Sequence, residues 1–152
     1  MSKALRCPVY SPLSKAVRKE SEVLIVVNDL TRATPTSLLL QPLISELNRK
    51  GILPDKIKII VATGLHEIRF DKDVDKIVGK DICYHYNVVY HNSEENLIRL
   101  RTSSYGNPLI FNKKAVEADL RILTGSIEPH QLAGFTGEAK SLLPGSSSKE
   151  NN

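Results

Sequence analysis

The sequence predicts an α/β domain: a mostly parallel, Rossmann-like sheet with flanking helices, three layers in all. Two observations predict it. The apolar runs Val23-Leu24-Ile25-Val26-Val27 and 57–63 (IKIIVAT) are continuous rather than alternating, which suits strands buried on both faces. The segment between them has helical spacing, and strand–helix–strand alternation implies βαβ units and a parallel sheet. The chain has 152 residues, enough for one domain with its own core.

The elements follow in order. Residues 1–20 carry Pro8, Pro12 and several basic side chains and read as an N-terminal arm outside the core. The first strand ends at Asn28-Asp29. Thr34-Pro35 reads as a helix N-cap with proline at the first helical position. Leu39, Leu43 and Leu47, with Leu40 and Ile44, form the apolar stripe of that helix, and Gly51 stops it. The second strand closes at Gly64. Asp73 to Val78 reads as a short helix and Asn87 to Tyr90 as a short strand. Leu97–Arg101 and Pro108–Phe111 read as two strands around a turn at Gly106-Asn107. Asn112 caps a short helix through Val116, and 119–124 (DLRILT) is a late strand ending at Gly125. The Ser- and Asn-rich end reads as a flexible tail, giving three segments: 1–20, 21–145 and 146–152.

Composition narrows the function classes. The net charge is +4 with 5% aromatic residues, and the basic residues are scattered, which disfavours nucleic acid and suits a small anionic ligand. Cys7 and Cys83 lie far apart with no zinc-type spacing. No apolar run reaches the ~18 residues of a membrane span, and no leader-type apolar segment opens the chain, so the expected location is the cytoplasm.

Ligands of open parallel sheets bind beyond the carboxyl ends of the strands. Three polar clusters fall there: Asp29-Leu-Thr31-Arg32, Gly64-Leu-His66 and Gly125-Ser-Ile-Glu-Pro-His130. Asp29 also fits a turn residue bonding its own backbone, with Arg32 an exposed ion-pair partner. His66 and His130 are the stronger candidates. A histidine exchanges protons near neutral pH, and two on one edge can act as acid and base on opposite faces of a carbon atom. His85 and His91, around a short strand, read as surface or structural. Gly134 through Lys140-Ser141 approaches a phosphate loop but has Ala139 where the second glycine belongs, and no strand leads directly into it.

Together these motifs resemble the nickel-dependent lactate racemase family, in its N-terminal domain. Asp29-Leu-Thr-Arg32-Ala-Thr-Pro35 is similar to its D-x-T-R-x-x-P signature and Gly64-Leu-His66 to its G-x-H. The stretch 118–145, through Gly125, His130, Gly134, Gly137, Lys140 and Pro144, is similar to its longest block. The resemblance covers about residues 20–145. It implies racemisation or epimerisation of a small 2-hydroxy acid by hydride transfer to a nickel pincer nucleotide, a pyridinium thioamide/thiocarboxylate mononucleotide holding nickel. The family's acid/base histidines fall on His66 and His130, and its cofactor-tethering lysine on Lys140. Its first motif, lying around the cofactor, falls on Asp29, Thr31 and Arg32. The family's nickel-ligating histidine belongs to a second domain with no counterpart after Lys140, so no metal ligand is assigned here. The same gap predicts a chain without activity of its own, completed by a separate chain, or a non-catalytic truncated relative that keeps an anionic nucleotide site. Glu67 and Glu138 depart from the family pattern and place carboxylates where an anionic cofactor would be repelled if they point inward.

Overall fold

The computed structural model describes residues 2–66, 74–131 and 134–151. Two short helices, α1 (Ser2–Arg6) and α2 (Leu13–Ala16), precede strand β1 (Val23–Asn28). Helix α3 (Thr36–Arg49) leads through a 3₁₀ turn to β2 (Ile57–Ala62). Helices α4 (Val74–Val78) and α5 (Lys80–His85) lead to β3 (Asn87–Tyr90). A hairpin of β4 (Leu97–Thr102) and β5 (Pro108–Asn112) is followed by α6 (Lys113–Glu117) and β6 (Leu120–Leu123). A two-stranded ribbon of β7 (Pro129–His130) and β8 (Gly134–Phe135) and helix α7 (Glu138–Leu142) complete the named elements.

The main sheet has the order β3-β2-β1-β6, and every pairing in it is parallel. Register explains the three layers. Val23, Ile25 and Val27 of β1 and Ile57, Ile59 and Val61 of β2 face α3, α4 and α5, packing with Leu40, Leu43, Leu47, Ile77 and Ile82. Leu24 and Val26 of β1 and Ile60 of β2 face the other way, onto Ala115 of α6 and Leu142 of α7. Side chains alternate along a strand, so two such faces require an unbroken apolar run. Each fully buried Ile or Val stabilises the fold by about 1.5–3 kcal/mol relative to exposure. The chain runs β1 to β2 to β3 in one direction and returns to β6 on the other side of β1. The reversal point between β1 and β6 is where open α/β sheets open a ligand crevice. Among the described residues no helix is long and apolar enough to cross a membrane.

Three sequence expectations need correction. The arm is not wholly outside the core: Leu5, Leu13 and Val17 pack against the larger apolar cluster. Residues 146–148 are not part of a flexible tail. Ser146, Ser147 and Ser148 are 0%, 0% and 3% exposed, because this segment lies along β5 and takes up its backbone groups. Asn112 N–H donates to the Ser146 carbonyl at 3.0 Å and Ser148 N–H to the Ile110 carbonyl at 3.0 Å. Thr34 does not cap α3. The helix opens after Pro35 with no side-chain cap, and the Thr34 hydroxyl bonds instead to Ser126. Helix α5 and the β7–β8 ribbon, to which the sequence reading assigned no element, are also formed. Asn112 does cap α6, accepting from Lys114 N–H at 3.0 Å. The start of the short helix at Asp73, Glu67 and the Glu138 side chain lie outside the described residues.

Candidate active site

A cleft of about 230 Å³ opens at the carboxyl edge of the sheet, above β1 and β2. Asp29, Thr31 and Arg32 line it from the loop after β1, Gly64, Leu65 and His66 from the loop after β2, and Gly137, Lys140 and Ser141 from the α7 segment. Parallel strands bring these loops together because they all end at one edge.

Asp29 is held from two sides. Its Oδ1 accepts from the Thr31 backbone N–H at 3.1 Å and also from the Thr31 hydroxyl, an Asx-type turn that fixes the carboxylate. Its Oδ2 lies 2.8 Å from Nδ1 of His66. Thr31 therefore spends its hydroxyl orienting Asp29. The Asp29 side chain is 14% exposed and that of His66 56%, so the acid is the sheltered partner and the imidazole the accessible one. A carboxylate on Nδ1 selects the tautomer with the proton there and makes Nε2 the basic nitrogen.

Lys140 sits within α7, half-buried. Its ammonium is pushed below the ordinary lysine range, first by burial and then by the positive charge of Arg32, with Asp29 pulling the other way. His130, at the end of β7, is not part of the cleft wall but lies near enough to feel it. Its imidazole is held below the ordinary histidine range by burial first, then by Lys140 and Arg32. Five of the six residues singled out from sequence thus line one cleft: Asp29, Thr31, Arg32, His66 and Lys140. The sixth, His130, stands beside it. This arrangement can exchange protons at His66 and His130 and hold an anion or electrophile with Arg32 and Lys140.

Sequence reasoning missed the polar residues Asn28 and Ser141, which line the cleft, and Thr34 and Ser126, hydrogen-bonded behind Asn28. The available signal was Asn28 itself, a polar residue closing an apolar strand directly ahead of Asp29. Among the described residues no group of three or more His, Cys, Asp or Glu could hold a metal ion.

The fold and cleft define an α/β domain with an aspartate-oriented histidine and a partly desolvated lysine at the carboxyl edge of a parallel sheet. The sequence profile of the lactate racemase N-terminal domain matches residues 1–151, and the chain belongs to that family. It is 34% identical over 148 residues to a lactate racemase of Thermoanaerobacterium thermosaccharolyticum, covering 95% of this chain and 34% of that one. To a lactate racemase of Lactiplantibacillus plantarum it is 34% identical over 149 residues, covering 95% and 35%. The solved lactate racemase apoprotein of the former organism superimposes with a TM-score of 0.85 at 35% identity, over 96% of this chain and 36% of that chain. The chain spans about a third of the length of the curated relatives it matches.

Proposed function

We propose that this chain supplies the acid/base and cofactor-holding part of a 2-hydroxy-acid racemase or epimerase site. The observation behind this reading is one cleft that joins the Asp29–His66 pair to Lys140. The cofactor implied by the family is the nickel pincer nucleotide. The donor set suits its organic part: Arg32 offers a planar cation to a phosphate or carboxylate, and a desolvated Lys140 offers more neutral amine for a covalent tether. Nickel ligation would come from the cofactor's sulfur atoms and from the part of the family's length that this chain does not span. When bound, the cofactor supplies a hydride acceptor that avoids a high-energy carbanion at the substrate carbon.

The chain's own residues handle the protons. His66, with Nδ1 committed to Asp29, takes the hydroxyl proton of one stereoisomer at Nε2 and returns it. His130 serves the other stereoisomer: its imidazole takes that isomer's hydroxyl proton when it is the substrate, and its imidazolium gives the proton when it is the product, the lowered pKa favouring the accepting form. Leu65 on the cleft wall, Leu30 in the loop after β1, Ile127 in the segment after β6 and Phe135 in β8 are exposed. Apolar side chains around a polar cleft suit a covering domain that excludes water from the reacting centre. The remaining length of the family fold is that domain.

The test is to produce the chain together with the cofactor-synthesis proteins of the family and weigh it intact. A mass increase mapped to Lys140, absent in Lys140→Ala and kept in His66→Ala, is expected. An unmodified Lys140 would overturn the reading. Calorimetric binding of a mononucleotide without any adduct would assign the chain instead to a non-catalytic anionic-nucleotide module.

A further inference from the structure

The Asn28 side chain joins the loops that surround the cleft. Its Oδ1 accepts from the Ser141 hydroxyl at 3.1 Å, and its Nδ2 donates to Thr34 Oγ1 at 3.2 Å. Thr34 Oγ1 in turn donates to Ser126 Oγ at 3.3 Å. The directions are mutually consistent: each hydroxyl and amide in the chain Ser141–Asn28–Thr34–Ser126 gives one hydrogen to the next. Asn28 and Thr34 are 6 positions apart, whereas Ser126 is 92 positions from Thr34 and Ser141 is 113 from Asn28. Asn28 ends β1 and adjoins Asp29. Ser141 adjoins Lys140 on α7. Thr34 closes the loop that carries Asp29, Thr31 and Arg32, and Ser126 opens the loop that carries His130.

Space around the amide is also closed. A Cβ on Gly125 would stand 3.0 Å from Asn28 Nδ2. A larger residue there would push the Asn28 amide aside by a few tenths of an ångström, a matter of room and not of an unusual φ. The buried Thr124 hydroxyl donates to the Val26 carbonyl at 3.0 Å, fixing the same loop to β1 just below. Asn28 thus meets β1, α7 and the segment after β6 at the point where strand order reverses.

We propose that Asn28 is a positioning residue that locks the Lys140 helix and the His130 loop to the end of β1, setting where the lysine and the second histidine stand relative to the Asp29–His66 pair. The proposal rests on the reading of Lys140 as the cofactor-holding residue. Its physical reason is that α7 has only five residues. So short a helix is marginal without tertiary contacts, and the Ser141–Asn28 hydrogen bond joins it to the end of β1 beside the Leu142 packing.

The test uses the unloaded chain, so it is independent of whether the cofactor binds. Competitive acylation of Lys140 across pH, read by mass spectrometry against the other lysines, reports on the α7 arm. The proton NMR titration of His130 reports on the Ser126 arm. In Asn28→Ala both profiles should move upward toward ordinary values as the two segments loosen and take up water. A rise of half to one pKa unit means about a 3–10-fold fall in Lys140 reactivity at pH 8. Ser141→Ala should move the Lys140 profile more than that of His130. Thr34→Val should do the reverse, with recovery in Thr34→Ser. A purely structural role would lower the melting temperature of Asn28→Ala and leave both profiles in place, and that result overturns the proposal. Should Asn28→Ala not fold, unmoved profiles in Ser141→Ala and Thr34→Val overturn it equally. Failure of the proposed function has a different signature: an unmodified wild-type Lys140 under cofactor co-production.

Discussion

Two polar clusters stand side by side at the carboxyl edge of the sheet, and both contain a histidine. One lies at the end of β3. His91 is 0% exposed, with Nε2 donating to the Ser147 carbonyl at 2.9 Å and Nδ1 accepting from the Asn112 amide at 3.2 Å. Its backbone is spent as well, N–H on Val61 O at 3.0 Å and carbonyl on the Thr63 hydroxyl at 3.0 Å. The other cluster, at the ends of β1 and β2, leaves the His66 side chain 56% exposed and places two cations, Arg32 and Lys140, on the same wall. Residue type does not separate them. Burial and completeness of pairing do: a neutral ring with both nitrogens used holds the fold, whereas an oriented ring open to solvent, beside cations that form no ion pair among the described residues, suits a ligand.

The largest expected effect comes from breaking the buried cluster. His91→Ala removes a packed ring and leaves both the Ser147 carbonyl and the Asn112 amide short of a partner. A loss of about 3 kcal/mol in urea unfolding is expected. The same ring makes stability depend on pH. Burial holds His91 below its ordinary value, against a smaller upward pull from the Ser147 carbonyl. The unfolded chain, with an ordinary histidine near pH 6.5, therefore takes up the proton first. The contribution is complete above about pH 6.5 and is lost as pH falls through the depressed folded-state value. Unfolding midpoints measured from pH 7.5 downward should show this loss, and His91→Ala should flatten it. An unchanged slope in the variant would mean that another group carries the acid sensitivity.

The two clusters also differ in how far the sequence discloses them. The open one was legible because the continuous apolar runs 23–27 and 57–63 suit strands buried on both faces, and parallel strands put their following loops on one edge. That logic brings Asp29, Arg32 and His66 together before any coordinates are known. Lys140 joins them through the family motif rather than through periodicity. The buried cluster was not legible. Ser146-Ser147-Ser148 looks like a solvated tail, since no apolar side chain announces burial. What buries the segment is backbone pairing with β5 and a carbonyl for His91, and composition does not encode either. Asn28 was hidden differently: beside Asp29 it reads as one more turn residue, and its partners Ser141 and Thr34 are 113 and 6 positions away. Helix α5 was missed because Ile82 alone among its residues is buried, too little for a 3.6-residue period to show.

The smallest effect on stability and the sharpest on chemistry should come from Asp29→Asn. The His66–Asp29 pair has an accessible imidazole, and exposed ion pairs contribute about 0–1 kcal/mol. Unfolding free energy should therefore shift by about 0.5 kcal/mol or less, well short of the His91→Ala loss. The ring itself should change. An asparagine can accept from Nδ1–H only through its carbonyl oxygen, and it can equally present its amide as a donor to Nδ1, so the preference for one tautomer weakens. Nitrogen-15 shifts of His66 should show Nδ1 predominantly protonated in the parent chain and a mixture in the variant, with His91 unmoved. A His66 tautomer indifferent to Asp29 would mean that the 2.8 Å contact does not orient the ring, and the division between a structural and an accessible histidine at this edge would then rest on burial alone.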